Sequence, residues 1–304
     1  MKLKAQPRAP KARPARATRS RPRVASRGAG RQARRPGIPL RRRVGARLPS
    51  IRRLLAGVGA LAAAAVIVAL LNGPWLRVTE VAWAGEHYTA DADLREALEA
   101  RRGASLLAID TRALREELER LPAVERATVT ARIDGRLEAT VVERETAFVW
   151  ATAAWRFLGA ADGTLFAREP AGRELAAAMS ELPQVLDDRS TAGLLAVGDV
   201  IPEALLRAAL RIAALDPALL GSDEPGLGVQ LDDEFGFRLL SAGSGWEVAL
   251  GVYGIDPRET ALQADERLQN QVTAVRTLFA EHREDGIAWV DARNPGRVYF
   301  RAKG

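Results

Sequence analysis

LPAVERATVTARIDGRLEATVVER, residues 121–144, is the stretch on which the fold turns. Ala127, Val129, Ala131 and Ile133 alternate with Arg126, Thr128, Thr130 and Arg132. That period of two predicts a strand with one buried face. Asp134-Gly135 is a strong two-residue hairpin signal. Leu137, Ala139 and Val141 then form the return strand.

Upstream of this hairpin the pattern changes. Leu76, Val78 and 81–83 predict a first strand, closed by Gly85. Asp91 and Asp93 favour the start of a helix, because acidic side chains complement its positive end. Leu94, Ala97 and Leu98 share a face of that helix, and Gly103 ends it. After GASLLAID, residues 103–110, Asp110 or Thr111 can cap a second helix. That helix carries Leu114, Leu118 and Leu121 and stops at Pro122. The order is β-α-α-β-β. This order, with GASLLAID, Leu121-Pro122-Ala123-Val124 and Val141-Val142-Glu143-Arg144, resembles a POTRA domain. More narrowly, it resembles the FtsQ/DivIB family of bacterial cell-division proteins. Glu143-Arg144 reads as a pair at a strand end, and no residue here reads as catalytic.

The N-terminal flank is of another kind. Residues 1–53 hold 19 of the 45 Lys and Arg and no Asp or Glu, leaving 26 basic against 38 acidic residues, a net of −12, for the rest. Arg, Pro, Ala and Gly dominate residues 1–50, and so little apolar surface predicts disorder. Residues 54–71 are eighteen residues without a polar side chain. At ~1.5 Å per residue they cover ~27 Å of the ~30 Å hydrocarbon core. Leu54, Leu55, Leu61, Val66, Ile67, Leu70 and Leu71 are expected to face lipid, with Trp75 at the interface. Arg41, Arg42, Arg43, Arg47, Arg52 and Arg53 crowd one flank and only Arg77 the other. The positive-inside rule then puts the N-terminus in the cytoplasm of a single-pass inner-membrane protein. Two other readings of this segment are a signal peptide cleaved after Ala82-Trp83-Ala84 and a buried helix. The long basic flank and the six arginines count against them. The tail's arginines are expected to meet anionic lipid. It has neither the interleaved aromatics nor the folded reader of a nucleic-acid binder.

Residues 147–304 are rich in strand signals. Runs at 148–150 and 155–158 precede an Asp162-Gly163 turn and Leu165-Phe166. Residues 182–185 read as a short loop element, and 200–215 as a helix with Pro202 in its first turn. Three antiparallel strands follow at 229–231, 235–240 and 246–250, then a helix at 259–282 with Leu268, Val272, Val275 and Phe279 as its buried stripe. Ile287 and Trp289 are expected on one face of a strand buried on both sides, with Ala288 and Val290 on the other. Asn294-Pro295-Gly296 turns into a last strand, 298–300. This pattern also resembles the β domain of FtsQ/DivIB, through LGAADGTLF (158–166), Leu182-Pro183, the late helix and IAWVDAR (287–293).

The expected fold class is α+β. It comprises a disordered basic tail (1–53), one transmembrane helix (54–75), a POTRA domain (76–145) and a mixed antiparallel β domain with flanking helices (146–304). The resemblance implies a non-enzymatic divisome scaffold at the septum, without cofactor or small-molecule substrate. Its late strand would receive a strand from FtsB/DivIC-like and FtsL-like partners. The expected site is Trp289, Arg293, Arg297, Val298, Tyr299, Phe300 and Arg301. The strand ends in charge and lies close to the last residue, with nothing after Gly304 expected to cover it. The plainer alternative is that Val298, Tyr299 and Phe300 only close the core.

Other functions meet obstacles in composition. No cysteine is present, so there is no disulfide or thiolate site, and the histidines are only His87 and His282. A cell-wall enzyme would need converging acids. The densest acidic cluster, Asp232-Asp233-Glu234, falls in an expected turn. An outer-membrane export component would need ~10-residue alternating barrel segments, which are missing.

Overall fold

The computed structural model describes residues 50–71, 73, 76–174, 176–254, 256, 258–294 and 296–304. Contacts part the chain at Ala56–Gly57. Of the first unit, residues 50–56 are described, and they begin helix α1 (Ile51–Leu71). Ser50 accepts the amides of Arg53 and Leu54 at its start. Arg52 and Arg53 lie in its first turn, and Leu54, Leu55, Leu61, Val66 and Ile67 are exposed. Among the described residues α1 alone is long and apolar enough to cross a membrane, and none of its apolar window is buried. An all-round apolar helix needs lipid or protein around it, so α1 is consistent with a single-pass membrane protein. Arg41, Arg42, Arg43, Arg47, Trp75 and the side chains of Leu70 and Leu71 lie outside the described residues.

The second unit holds two sheets. The smaller contains β1 (Glu80–Ala84), β2 (Val124–Ala131) and β3 (Arg136–Glu143) in the order β1-β3-β2. β1 runs parallel to β3, and β2 pairs antiparallel with it through the Asp134-Gly135 turn, where Gly135 takes φ +92°. Helices α2 (Asp91–Glu99) and α3 (Thr111–Leu118) cover one face. The Asp110 carboxylate caps α3, accepting the Arg112 and Ala113 amides at 3.0 Å. Leu94, Leu98, Leu114 and Leu118 pack on Leu137, Ala139 and Val141. Two expectations are corrected. Ile133 is 88% exposed, because pairing ends at Ala131 and it belongs to the turn. The first strand is divided: residues 76–78 bond to 103–106, and β1 follows.

The larger sheet contains β4 (Phe148–Ala151), β5 (Trp155–Gly159), β6 (Leu165–Pro170), β7 (Gln184–Asp187), β8 (Leu227–Asp232), β9 (Gly236–Ser241), β10 (Glu247–Gly251), β11 (Ile287–Asp291) and β12 (Tyr299–Ala302). Their order is β12-β11-β10-β9-β8-β7-β4-β5-β6. Pairing is parallel at β4–β7, β7–β8 and β10–β11 and antiparallel elsewhere. The short helix α4 (Ala177–Ser180) precedes β7. Helices α5 (Glu203–Ala213) and α6 (Ala261–Glu281) bury Leu205, Ile212, Leu268 and Val275 against Trp150, Val185, Leu239 and Val290.

Here the sequence reading needs further corrections. Residues 184–187 are a strand inside the sheet, with Val185 and Asp187 buried. Pro202 is the N-cap of α5, with ψ 133°, outside the first turn. Ile287 and Val290 are the buried residues of β11, while Ala288 and Trp289 are half-buried. The cause is a register shift between Ile287 and Trp289, which breaks the expected alternation. The last strand starts at Tyr299, and Val298 packs half-buried against the core.

Candidate partner-binding edge

A sheet edge presents unpaired N–H and C=O groups, and folded proteins blunt such rows. The two edges of the large sheet differ in this respect. β6 carries Arg168, Glu169 and a terminal Pro170. Its start is also covered, since Leu165 donates to the Asp199 carbonyl and accepts from the Gly198 amide, both at 2.8 Å. β12 pairs only with β11. Among the described residues, no other element hydrogen-bonds its backbone from Tyr299 to Ala302.

The expected site residues divide into three groups. Tyr299, Phe300 and Arg301 lie in β12, with Tyr299 54% and Phe300 43% exposed. Register places Tyr299 opposite Asp291 and Arg301 opposite Trp289, so these share a face, while Phe300 opposite Val290 shares the other. The Phe300 ring lies 4.7 Å from that of His282. Arg297 is exposed just before the strand, and Val298 is half-buried. Trp289 lies in β11, the strand behind the edge, and Arg293 lies two residues after that strand ends. Trp289 packs edge-on against Phe235 at 4.7 Å. Arg293 forks onto Asp291 at 3.0 and 2.7 Å, and its guanidinium holds that carboxyl below the usual range.

Sequence reasoning missed what lies beside the edge. A groove of about 580 Å³ runs between α6 and residues 292–298, with Gln263, Glu266 and Asn270 on its helical wall and Val298 on the other. These three are polar residues on a helix whose apolar stripe drew the reading, and nothing local signals that a loop faces them. The acidic cluster does not converge. Asp232 accepts the Glu234 and Phe235 amides and faces Arg238 at 2.7 Å, whereas Asp233 accepts the Ser190 amide. Among the described residues, no group of three metal-ligating side chains comes together.

The smaller sheet and its two helices give the order β-α-α-β-β, and residues 76–144 match the family model described as POTRA domain, FtsQ-type. Residues 76–144 are an FtsQ-type POTRA domain. The match concerns residues 76–144 alone, and the apolar helix α1 precedes it in the chain. No curated protein sequence matches the chain.

The POTRA sheet has edges of its own at β1 and β2, each paired only with β3. On the β1 side the preceding residues 76–78 pair with 103–106. On the β2 side the Glu119 carboxylate takes the Ala127 amide at 3.1 Å. At the far end of β3, Glu143 accepts two N–H groups of the same domain, from Tyr88 at 2.9 Å and Thr89 at 2.7 Å. Burial pushes its carboxyl up, but the Tyr88 and Thr89 amides outweigh this and hold it below the ordinary 4.5.

Proposed function

We propose that this chain is a non-enzymatic, single-pass scaffold of the division machinery that links early and late septum proteins by accepting a partner strand at β12. The supporting observation is the contrast between the two edges of the large sheet: β6 ends in Pro170 and is bonded at Leu165, whereas β12 pairs with β11 alone among the described residues. Strand addition satisfies its free backbone groups, and the adjoining groove has room for side chains of the incoming segment. The partners in this reading are FtsB/DivIC-like and FtsL-like proteins, contacting Tyr299, Phe300, Arg301, Val298 and Arg297. Trp289 and Arg293 then brace the strand from behind. Residues 1–53 stay in the cytoplasm against anionic lipid, 54–75 span the membrane, and the domains at 76–145 and 146–304 work outside it.

Phe300→Pro tests this: the Lys303 amide bonds back to Gly286, so by alternation the Tyr299 and Arg301 amides face β11 and the Phe300 amide faces outward. Proline removes a backbone donor and fixes φ. With the lost backbone bond worth about 1 kcal/mol, capture of an FtsB/DivIC-like partner by the full chain falls by about fivefold. Circular dichroism of the variant remains native. Undiminished capture, or collapse of the fold, overturns the assignment of this edge.

A further inference from the structure

Two adjacent residues, Glu143 and Arg144, reach from the end of β3 to the junction between the POTRA domain and the nine-stranded sheet. Glu143 acts through a loop. By accepting the Tyr88 and Thr89 amides it fixes residues 88–89 against the end of β3. The Tyr88 ring then meets Phe166 of β6 edge-on, with centroids 5.5 Å apart. Tyr88 and Ala123 join Val149, Leu158, Ala160 and Phe166 in an apolar cluster separate from both main cores. Arg144 acts directly. Its Nε donates to the Pro122 carbonyl at 3.0 Å, and its Nη1 to Asp162 at 2.6 Å. Asp162 sits in the β5–β6 turn, where it also accepts the Thr164 amide at 3.0 Å. One guanidinium therefore bonds the α3–β2 loop of the POTRA domain and the β5–β6 hairpin of the next domain at once.

We infer that Glu143 and Arg144 are positioning residues that hold the two domains in one fixed orientation, making the extracytoplasmic part a rigid arm. A modest inter-domain contact ordinarily permits relative motion. Here the apolar cluster supplies adhesion, and the forked Arg144 supplies direction. A planar fork with two fixed acceptors defines an angle that a point charge does not. The Arg144 and Asp162 side chains are 22% and 55% exposed, so the ion pair adds little to stability. Its effect is therefore on orientation, and orientation can be read separately from melting.

The chain contains no cysteine, so introduced pairs carry labels at chosen positions only. Spin labels at Ile133→Cys and Leu262→Cys, both on exposed side chains, report the separation of the two domains by double electron–electron resonance. In the full chain in lipid nanodiscs, one narrow distance distribution is expected. Arg144→Ala and Asp162→Asn broaden it by about twofold, while the melting temperature moves little. Asp162→Asn keeps the bond from Thr164 and so decides the matter if Arg144→Ala fails to fold. The exchange Arg144→Asp with Asp162→Arg narrows the distribution again. A distribution already broad in the parent, or one unchanged in folded Asp162→Asn and Arg144→Ala, overturns the inference.

Discussion

Gln271 is the polar residue that the core of the large domain is arranged around. It is 95% buried on α6, with 5% of its surface exposed. Its amide donates to the carbonyls of Leu250 at 2.8 Å and Ala292 at 2.9 Å, and its oxygen accepts the Tyr253 hydroxyl. Burial pushes that hydroxyl up to about 12, against the pull of Arg267, so it stays a donor. Gln271→Leu strands all three partners, and each buried orphan costs about 1–3 kcal/mol. Destabilisation of about 3 kcal/mol or more is expected in denaturant titration, and a loss under about 1 kcal/mol would contradict this account. Glu143 adds a pH-dependent counterpart. Its native pKa lies below the ordinary 4.5, so its contribution is present above that value and disappears as pH falls through the native pKa. Glu143→Gln should flatten the acid side of the stability profile and leave its slope near neutrality unchanged. Neither role was legible in the sequence. Leu268, Val275 and Phe279 announce a buried stripe by spacing, but spacing says nothing about which carbonyls a glutamine among them will meet.

At the scale of elements, what could be read depended on how local the cause is. Asp134-Gly135 and Asp162-Gly163 were legible because the glycine supplies the turn's positive φ, +92° and +90° here. The place of β12 at one end of the large sheet was legible, since a short strand with charge at its end announces an edge. β7 was not. Its four residues are stabilised by parallel neighbours, β4 and β8, that lie far off in sequence, and Leu182-Pro183 reads as a loop. The bulge in β11 was also hidden, so Trp289 was assigned to the wrong environment. Close backbone approach is another non-local cause, and it is testable at Gly236. With φ +69°, a Cβ there would fall 2.4 Å from the Gly251 carbonyl, where β9 meets β10. Gly236→Ala should destabilise by about 1–3 kcal/mol through strain and displaced backbone. Gly172→Ala, where a Cβ meets nothing within 4 Å, serves as the control. Equal melting temperatures for the two variants would refute the packing argument.

At the scale of the whole molecule, charge is distributed along the chain so as to orient it. The 19 basic residues of 1–53 face no acid, and the remaining 251 residues carry an excess of acid. Between these regions stands α1, apolar on all sides and unburied. Positive charge beside the span holds its flank in the cytoplasm, whereas a long domain translocates largely regardless of its charge. The expected arrangement is an uncleaved anchor with the tail inside. Absence of native cysteine again permits a direct measurement. In intact cells an impermeant maleimide should label Ile133→Cys and leave Ser20→Cys unlabelled until the membrane is opened. Replacing Arg41, Arg42, Arg43, Arg47, Arg52 and Arg53 by Asn should weaken this preference, because it removes the positive charge adjoining the span. Shuffling residues 1–40 at constant composition should leave it intact. Labelling of Ser20→Cys from outside would reverse the topology, and a mature N-terminus at Gly85 would show that α1 is removed. Either result would withdraw the anchor on which the scaffold reading rests.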